Sequence, residues 1–218
     1  MSSDKVFKGI DVSAWQKEID FEKVRDSGIE FVIIRAGYGK VIENKDAFFE
    51  TNYAKAKAAG LLVGAYWYSY ADSIDTGRTE AGACLEAIRG KTFDFPVFFD
   101  LEEKKQFEKG REFCDALVTT FCDCIGAHGY YPGLYCSTNK LNEFVSPSVA
   151  GKYALWVAHW AEKCTYSANP VELWQYTSHG SVDGIEGRVD MDFAYVDYPK
   201  IIRSRGLAGP EGPEAGSK

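Results

Sequence analysis

Three carboxyl side chains stand where apolar, strand-like runs of this sequence end. Asp11 closes the run that begins at Phe7, and Asp100 and Glu102 close the run that begins at Phe95. Because side chains alternate across a strand, Asp100 and Glu102 point to the same side, where like charges oppose each other's ionisation. One of the two is therefore expected to keep a proton near neutral pH, as a general acid does.

Two further acids, Asp190 and Asp192, lie in a later strand-like run, Val189 to Phe193. If the strands close into a barrel, the first and last strands become neighbours, which brings Asp11 near Asp190 and places the other pair across the mouth. A single such acid is more often a solvated loop residue or a helix N-cap. Five acids in three otherwise apolar strands favour a functional cluster, because a buried unpaired acid costs several kcal/mol.

Aromatic and amide side chains accompany these acids. A flat ring stacks on a sugar face, and a hydroxyl, indole NH or amide group can bond sugar hydroxyls or an acetamido group. About half of the aromatic residues are expected to face the packed core instead. As a set, the predicted substrate-binding residues are Tyr68, Tyr70, Tyr135, Trp160, Trp174 and Gln175.

Predicted strands and helices alternate along the chain, which implies a parallel sheet. Helices are predicted at 20–27, 45–59, 75–89 and 111–128, each followed by a glycine, with a brief one at 138–144. Strands are predicted at 7–11, 31–35, 61–68, 95–100, 133–136, 153–158, 171–176 and 189–193. The last two connections show no helical period. The predicted fold class is therefore α/β: an irregular TIM-like barrel with five helix-backed β/α units followed by three strands lacking regular helices.

Composition limits the domain count and the partners. A chain of 218 residues can bury one core, so we assign residues 1–205 to one catalytic barrel and the Gly- and Pro-containing residues 206–218 to a disordered tail. The net charge of -7 argues against a nucleic-acid partner. No apolar run approaches the roughly 20 residues that span a bilayer, so no membrane partner is predicted. A monomer is the simplest expectation.

Other chemistries lack their motifs. The six cysteines and three histidines show no zinc-like spacing, and no Gly-x-Ser-x-Gly elbow is present, so neither a metal nor a cofactor is predicted. Buried free thiols and one or two disulfides both stay open. The first five residues lack the apolar core of a signal peptide, so an exported protein would be a mature form or would leave by another route.

Several motifs, in order and at matching spacing, carry a family resemblance. They are Gly9-Ile10-Asp11-Val12-Ser13 with Trp15-Gln16, Phe31-Val32-Ile33-Ile34-Arg35-Ala36, Gly64-Ala65-Tyr66, Asp100-Leu101-Glu102 and Val189-Asp190-Met191-Asp192. From about residue 8 to 195 the chain resembles glycoside hydrolase family 25, the Chalaropsis-type lysozymes. The resemblance implies an N-acetylmuramidase that cuts the β-1,4 bond between N-acetylmuramic acid and N-acetylglucosamine in bacterial peptidoglycan, in the cell wall or outside the cell.

The resemblance also implies residue roles. Glu102 would be the general acid, and Asp100 would orient the substrate acetamido group or stabilise the charge that develops at the anomeric carbon. Asp11 and Asp190 would complete an acidic floor. Family members often carry Asn at the place of Asp192, which we assign to the substrate-binding set; an acid there would alter the charge of the site or face away from it.

Two other classes of function stay open. One is a non-catalytic peptidoglycan-binding module, and the other is a hydrolase of a different N-acetylated glycan such as chitin. The partner of Glu102 could be a nucleophile, a base acting through water, or a helper for the substrate's own acetamido oxygen, depending on the carboxyl separation.

Overall fold

The computed structural model describes residues 5–209, which form a closed barrel of eight strands in chain order. The strands are β1 (Phe7–Val12), β2 (Phe31–Tyr38), β3 (Leu62–Tyr68), β4 (Val97–Asp100), β5 (Pro132–Ser137), β6 (Ala154–Ala158), β7 (Leu173–Gly180) and β8 (Val189–Ala194). The predicted irregular TIM-like barrel is confirmed.

The orientation of β8 differs from the parallel sheet that the sequence implied. β1 to β7 run parallel to one another, whereas β8 is antiparallel to both β7 and β1. A parallel return needs a crossover of a dozen or more residues, and residues 181–188 are too few. The amino end of β8 therefore lies at the same mouth of the barrel as the carboxyl ends of the other strands.

Helices surround the first part of the barrel. They are α1 (Phe21–Asp26), α2 (Phe49–Ala58), α3 (Ile74–Ala87), α4 (Lys104–Phe107), α5 (Arg111–Ala127), α6 (Thr138–Phe144), α7 (Pro147–Ala150) and α8 (Tyr198–Arg205). Within residues 5–209, no helix connects β6 to β7 or β7 to β8, as predicted. In α4, which was not predicted, Gln106 and Phe107 are buried. Helix α8 was not predicted from the sequence either.

Strand alternation sorts side chains into an outer face, packed against helices, and an inner face that fills the barrel. On the outer face, the rings of Phe99 and Phe121 from α5 lie 4.7 Å apart between centroids. All six cysteines, which lie within the described residues, are free, and four of them are buried. None of the helices between residues 5 and 209 is long and apolar enough to cross a membrane.

The inner face consists of two layers. We call the apolar one, far from the mouth, the lower layer: Phe7, Phe31, Phe95, Phe98, Leu173 and Ala194, closed from below by Tyr198 of α8. The rings of Phe31 and Phe95 stack with centroids 4.3 Å apart. A Cβ atom on Gly9 or Gly133 would overlap the ring of Phe31 or Phe98, so glycine is needed at both positions to admit these rings.

The chain continues to pack after α8. Gly206 ends this helix in the left-handed conformation, and the carbonyls of Leu207 and Ala208 then accept hydrogen bonds from the amides of Tyr131 (3.0 Å) and Phe93 (2.8 Å). The prediction that the chain has nothing to pack against from Gly206 is therefore wrong for residues 206–209. The rest of the predicted tail, 210–218, lies outside the described residues.

Candidate active site

A cavity of about 360 Å³ opens at the mouth of the barrel. The second inner layer, which we call the upper layer, consists of Asp11, Arg35, Tyr66, Asp100, Tyr135, Trp156, Gln175 and Asp192. All of these except Asp192 line the cavity and form its floor. Asp11 and Asp190 lie opposite each other in the β1–β8 register, and both line the cavity. The predicted approach of the first and last strands thus occurs, although Asp190 stands near the amino end of its strand.

Asp100 and Glu102 lie on the same side of the chain, in the cavity wall. Asp100 is buried, and its side chain lies beside that of Glu102, which remains accessible at the rim. Burial, and then the neighbouring charge of Glu102, raise the pKa of Asp100 well above its ordinary value. Protein atoms around the Glu102 carboxyl remove part of its hydration, which raises its pKa, whereas the interaction with Asp100 lowers it. The pair is therefore suited to hold one proton beside the open cavity.

The residues that follow β4 are anchored on both sides of this pair. The amide of Leu101, a side chain fully buried on the outer face, donates to the carbonyl of Tyr135 at 3.1 Å. Beyond Glu102, the Gln106 amide donates to the hydroxyl of Ser69 at 2.9 Å, and that hydroxyl donates to the buried Glu80 carboxyl at 2.6 Å. Burial raises the pKa of Glu80 to about 7. These contacts hold the chain on either side of Glu102 at the rim.

The opposite wall is built on a second group of acids. Asp11 is buried and accepts a 2.8 Å hydrogen bond from the Gln175 amide. Burial is the main cause that raises its pKa well above the ordinary value, followed by the charges of Asp192 and Asp190. Asp190 is partly buried, and burial followed by the charge of Glu102 raises its pKa to about 6. The mouth therefore carries less negative charge near neutral pH than its four acids suggest.

Asp192 does not reach the cavity. Its side chain is fully buried two residues deeper along β8 than Asp190, and its Oδ1 atom accepts a 2.8 Å hydrogen bond from the indole of Trp156. The assignment of Asp192 to the substrate-binding set is therefore corrected. Its place under the floor follows from the direction of β8, which runs away from the mouth.

Gln175 connects the aromatic residues to the acids. Its amide oxygen accepts hydrogen bonds from the Tyr135 hydroxyl and the Trp160 indole, both at 3.0 Å, while its amide nitrogen donates to Asp11. Trp160 is 61% exposed at the rim, whereas Tyr135 is buried in the cavity wall. A change in the position of either ring would thus be passed on to Asp11.

Tyr68 and Tyr70 lie on the other side of the mouth. The Tyr68 hydroxyl donates to Glu103 at 2.8 Å, and Tyr68 lines the cavity itself. Tyr70 lies in an adjoining groove that begins where the cavity ends. The groove is lined by Ala14, Trp15, Arg35, Tyr38, Tyr68 and Tyr70. The cavity and the groove together extend the open surface over several aromatic rings.

Trp174 faces away from the cavity, contrary to the prediction. Its ring packs near Tyr176 and Phe193 on the outer face, and its indole donates to the carbonyl of His159 at 2.7 Å. Adjacent residues of a strand point to opposite faces, so Trp174 and Gln175 cannot both enter the barrel.

Four further residues for which no role was predicted line the cavity: Arg35, Tyr66, Trp156 and Trp15. Arg35 is the one cationic side chain among the described lining residues, and its guanidinium is paired with the buried Asp46 at 2.7 Å. Arg35 lies on the same face of an apolar strand as Phe31 and Ile33, and a charged residue at such a position could have indicated a role for it. In the part of the chain that the structure describes, no group of three or more His, Cys, Asp or Glu side chains could hold a metal ion.

Comparison with known families shows the family to which the chain belongs. The model for "Glycosyl hydrolases family 25" matches residues 10–185, a range that contains Asp11, Asp100 and Glu102 and ends before β8. The chain belongs to glycoside hydrolase family 25. It is a glycoside hydrolase, and the cavity with its carboxyl pairs is its candidate active site.

Individual relatives agree with this membership. YegX, an uncharacterized protein of Escherichia coli K12, is 31% identical over 193 residues, which cover 84% of this chain and 68% of YegX. The autolytic lysozyme of Clostridium acetobutylicum is 31% identical over 186 residues, 85% of this chain and 55% of that protein. The crystal structure of the Streptomyces coelicolor lysozyme has the same fold, with a TM-score of 0.78 at 24% identity over 94% of this chain and 98% of that one.

Proposed function

We propose that this protein is an N-acetylmuramidase that hydrolyses the β-1,4 bond between N-acetylmuramic acid and N-acetylglucosamine in bacterial peptidoglycan, with Glu102 as the general acid. The observation that carries the proposal is the adjacent pair of carboxyls, Asp100 and Glu102, with raised pKa values in the wall of an open cavity. The name of the relative from Clostridium acetobutylicum, an autolytic lysozyme, supports the choice of polymer.

The roles of the two carboxyls follow from their exposure. Glycosidic cleavage needs a proton on the leaving oxygen and negative charge near the anomeric carbon, where positive charge develops. Glu102 is accessible and belongs to a pair that holds a proton, so it can donate that proton to the leaving oxygen. Asp100, left as a buried carboxylate, then stabilises the sugar cation or orients the acetamido group. After departure of the leaving group, Glu102 can take a proton back from the attacking water.

Asp11 and Asp190 complete the acidic floor across the cavity. Their fields add to the stabilisation of positive charge on the sugar ring, because the low-dielectric surroundings weaken such interactions less than water does. The hydrogen bond from Gln175 keeps Asp11 in place. Asp190, with a pKa of about 6, becomes more negative as the pH rises toward neutrality.

The rings at the mouth are proposed to hold the glycan. Tyr68, Tyr70 and Trp160 are accessible or line the open surface, and such rings stack on sugar faces. Tyr135 and Gln175 stand deeper, where they bond each other and position the floor. The overall negative charge favours a glycan over nucleic acid as partner. The cell wall would be the site of action.

Digestion of purified peptidoglycan tests the proposal. We expect the wild type to release glycan fragments that, after borohydride reduction, carry reduced muramic acid ends in the mass spectrum. Glu102→Gln should lower this rate by about 10²–10⁴-fold, because a general acid contributes that much. Glu108→Gln, an exposed residue six positions further along, is the matched control and should keep full activity.

Other outcomes identify the alternatives. Reduced glucosamine ends would make the protein a glucosaminidase, and release from chitin alone would move the substrate to another N-acetylated glycan. Binding of peptidoglycan without new ends would leave a non-catalytic glycan module. An active Glu102→Gln variant would remove Glu102 from the proposed role.

A further inference from the structure

The buried carboxyl of Asp192 has one oxygen that no donor satisfies. Oδ1 accepts the indole N–H of Trp156 at 2.8 Å, whereas Oδ2 has no hydrogen-bond donor among the described residues. The side chain is 0% exposed. A buried carboxylate oxygen without a donor costs several kcal/mol, so an ionised Asp192 with this single bond would be a substantial burden on the fold.

A second carboxyl, that of Asp11, lies beside that side chain. In the β1–β8 register, Gly9 lies opposite Asp192 and Asp11 opposite Asp190, so Asp11 and Asp192 are diagonal neighbours on the inner face. Each of the two carboxyls also influences the pKa of the other, as adjacent acids do. Two carboxylates cannot bond each other, because neither has a hydrogen to donate, but a carboxylate and a carboxylic acid can.

We propose that Asp11 and Asp192 share one proton, so that the pair carries a single negative charge and Asp192 acts as the positioning residue for Asp11. Asp192 touches no substrate in this arrangement and acts only through Asp11. The proposal deepens the proposed function, on which its kinetic part rests.

The charges around the pair favour retention of the proton. Negative groups face it from β8, β4 and the segment after β4, namely Asp190, Asp100 and Glu102. Arg35 on β2 lines the same cavity but is paired with Asp46. The remaining titratable neighbours are the partly buried Tyr66 and the buried Tyr135, and the raised pKa values of their phenols keep them neutral. Burial raises the pKa of both Asp11 and Asp192 well above the ordinary range.

The shared proton gives Asp11 two donors on its buried side. Gln175 bonds Asp11 Oδ2 at 2.8 Å, and the proton bridges to Asp192. Asp192 is in turn held by Trp156, so the floor carboxylate is fixed from β7 and β8 together. One negative charge is thereby retained under the cavity without the mutual repulsion of two.

Native electrophoresis tests the proton directly. Asn at position 192 has the shape of a protonated Asp, with an oxygen for Trp156 and an N–H for Asp11. We therefore expect native Asp192→Asn at pH 7 to migrate like the wild type, whereas exposed Asp183→Asn, the control, migrates with one negative charge less. In urea at the same pH, where all aspartates of the unfolded chain are ionised, both variants should carry one negative charge less than the unfolded wild type.

A full one-charge shift of native Asp192→Asn would overturn the shared proton. If that variant does not fold, Asp11→Asn decides the same question, since replacement of either member should leave one charge on the pair. Neither measurement depends on catalysis. They therefore test the shared proton even if the wild type proves inactive on peptidoglycan. Inactivity would contradict only the proposed function.

Kinetics test the positioning role. Asp192→Ala removes both the proton and the acceptor for Trp156, and we expect kcat on peptidoglycan to fall about 10- to 100-fold from displacement of Asp11. Asp192→Asn should restore most of the lost kcat. Equal losses in both variants, or full activity in Asp192→Ala, would overturn the positioning role.

Discussion

The two inner layers of the barrel are built on the same strands but differ in every physical respect. Two residues along each strand separate Phe98 from Asp100, Leu173 from Gln175 and Ala194 from Asp192. The lower layer is apolar and is closed by α8, whereas the upper layer combines three aromatic rings with buried acids, an amide and one arginine. Apolar packing is therefore concentrated in the lower layer, and the charged side chains are found in the upper layer.

The comparison of the two layers shows where burial of side chains increases the stability of the fold and where it decreases it. Burial of the lower rings is favourable because apolar surface leaves water. Burial of the upper acids is unfavourable for their charged forms, which is why the pKa values of Asp11, Asp100 and Asp192 are all raised. Raised pKa values of this kind are common at catalytic sites.

The largest effect on stability is expected in the lower layer. Phe98 is fully buried, with its ring 5.1 Å from that of Trp156, and Phe98→Ala would leave a cavity at the barrel axis. We expect a loss of about 3–5 kcal/mol in the free energy of unfolding. Urea denaturation measures it, and activity assayed well below the transition should stay within several-fold of the wild type.

Phe98→Leu is the matched control, since it keeps most of the volume and should cost much less. A variant Phe98→Ala that unfolds like the wild type yet has lost its activity would contradict the division between the layers.

An intermediate effect, of opposite sign, is expected in the upper layer. The folded-state pKa of Asp190 is about 6, raised from 3.8, so the stability it contributes is present below pH 4 and is lost as the pH rises from about 4 to 6. Asn does not ionise, so the Asp190→Asn variant does not lose this stability as the pH rises. It should match the wild type at pH 4 and exceed it by about 1–2 kcal/mol at pH 7, after allowance for solvent screening.

Thermal unfolding of both proteins at pH 4, 5, 6 and 7 measures this difference, with exposed Asp183→Asn as control. We expect activity to fall in Asp190→Asn while neutral-pH stability rises. A stability difference that does not change with pH would show that ionisation of Asp190 does not lower the free energy of unfolding.

The smallest effect is expected at the rim, where Trp160 is exposed. Trp160→Ala should leave the free energy of unfolding within about 0.5 kcal/mol of the wild type. It should raise KM for soluble glycan fragments about 3- to 10-fold, because a stacked ring contributes about 1 kcal/mol. Trp160→Phe keeps a ring but loses the hydrogen bond to Gln175, so it separates stacking from the support of Asp11. A fall in kcat comparable with that of Glu102→Gln would place Trp160 with the upper layer instead.

Much of the fold could be predicted because its signals are local. Short runs rich in β-branched and aromatic residues predicted the eight strands, and glycine after each of the four longer predicted helices indicated where those helices end. The direction of β8 was not predicted, because it depends on how far residues 181–188 can reach across the closed barrel. Helix α8 was missed because Tyr198 and Ile202 bury themselves in a lower rim that exists only after closure.

The site was predictable in part for the same reason. The common side of Asp100 and Glu102 and the approach of Asp11 to Asp190 both follow from alternation and closure. Trp174 was misplaced because the phase of β7 is set by Gln175, whose amide is held by three partners from other strands and the rim. Nothing within the residues of a single strand identifies which of two polar or aromatic neighbours enters the barrel.

The sequence by itself determined the alternation of strands and helices, the family and the acids available for chemistry, because side-chain period and residue type are properties of the local chain. Only the tertiary structure decided the depth of each acid: accessible for Glu102, in the floor for Asp11, and beneath it for Asp192. Depth controls exposure to water and the distance to other charges. Those two quantities determine which carboxyl keeps a proton.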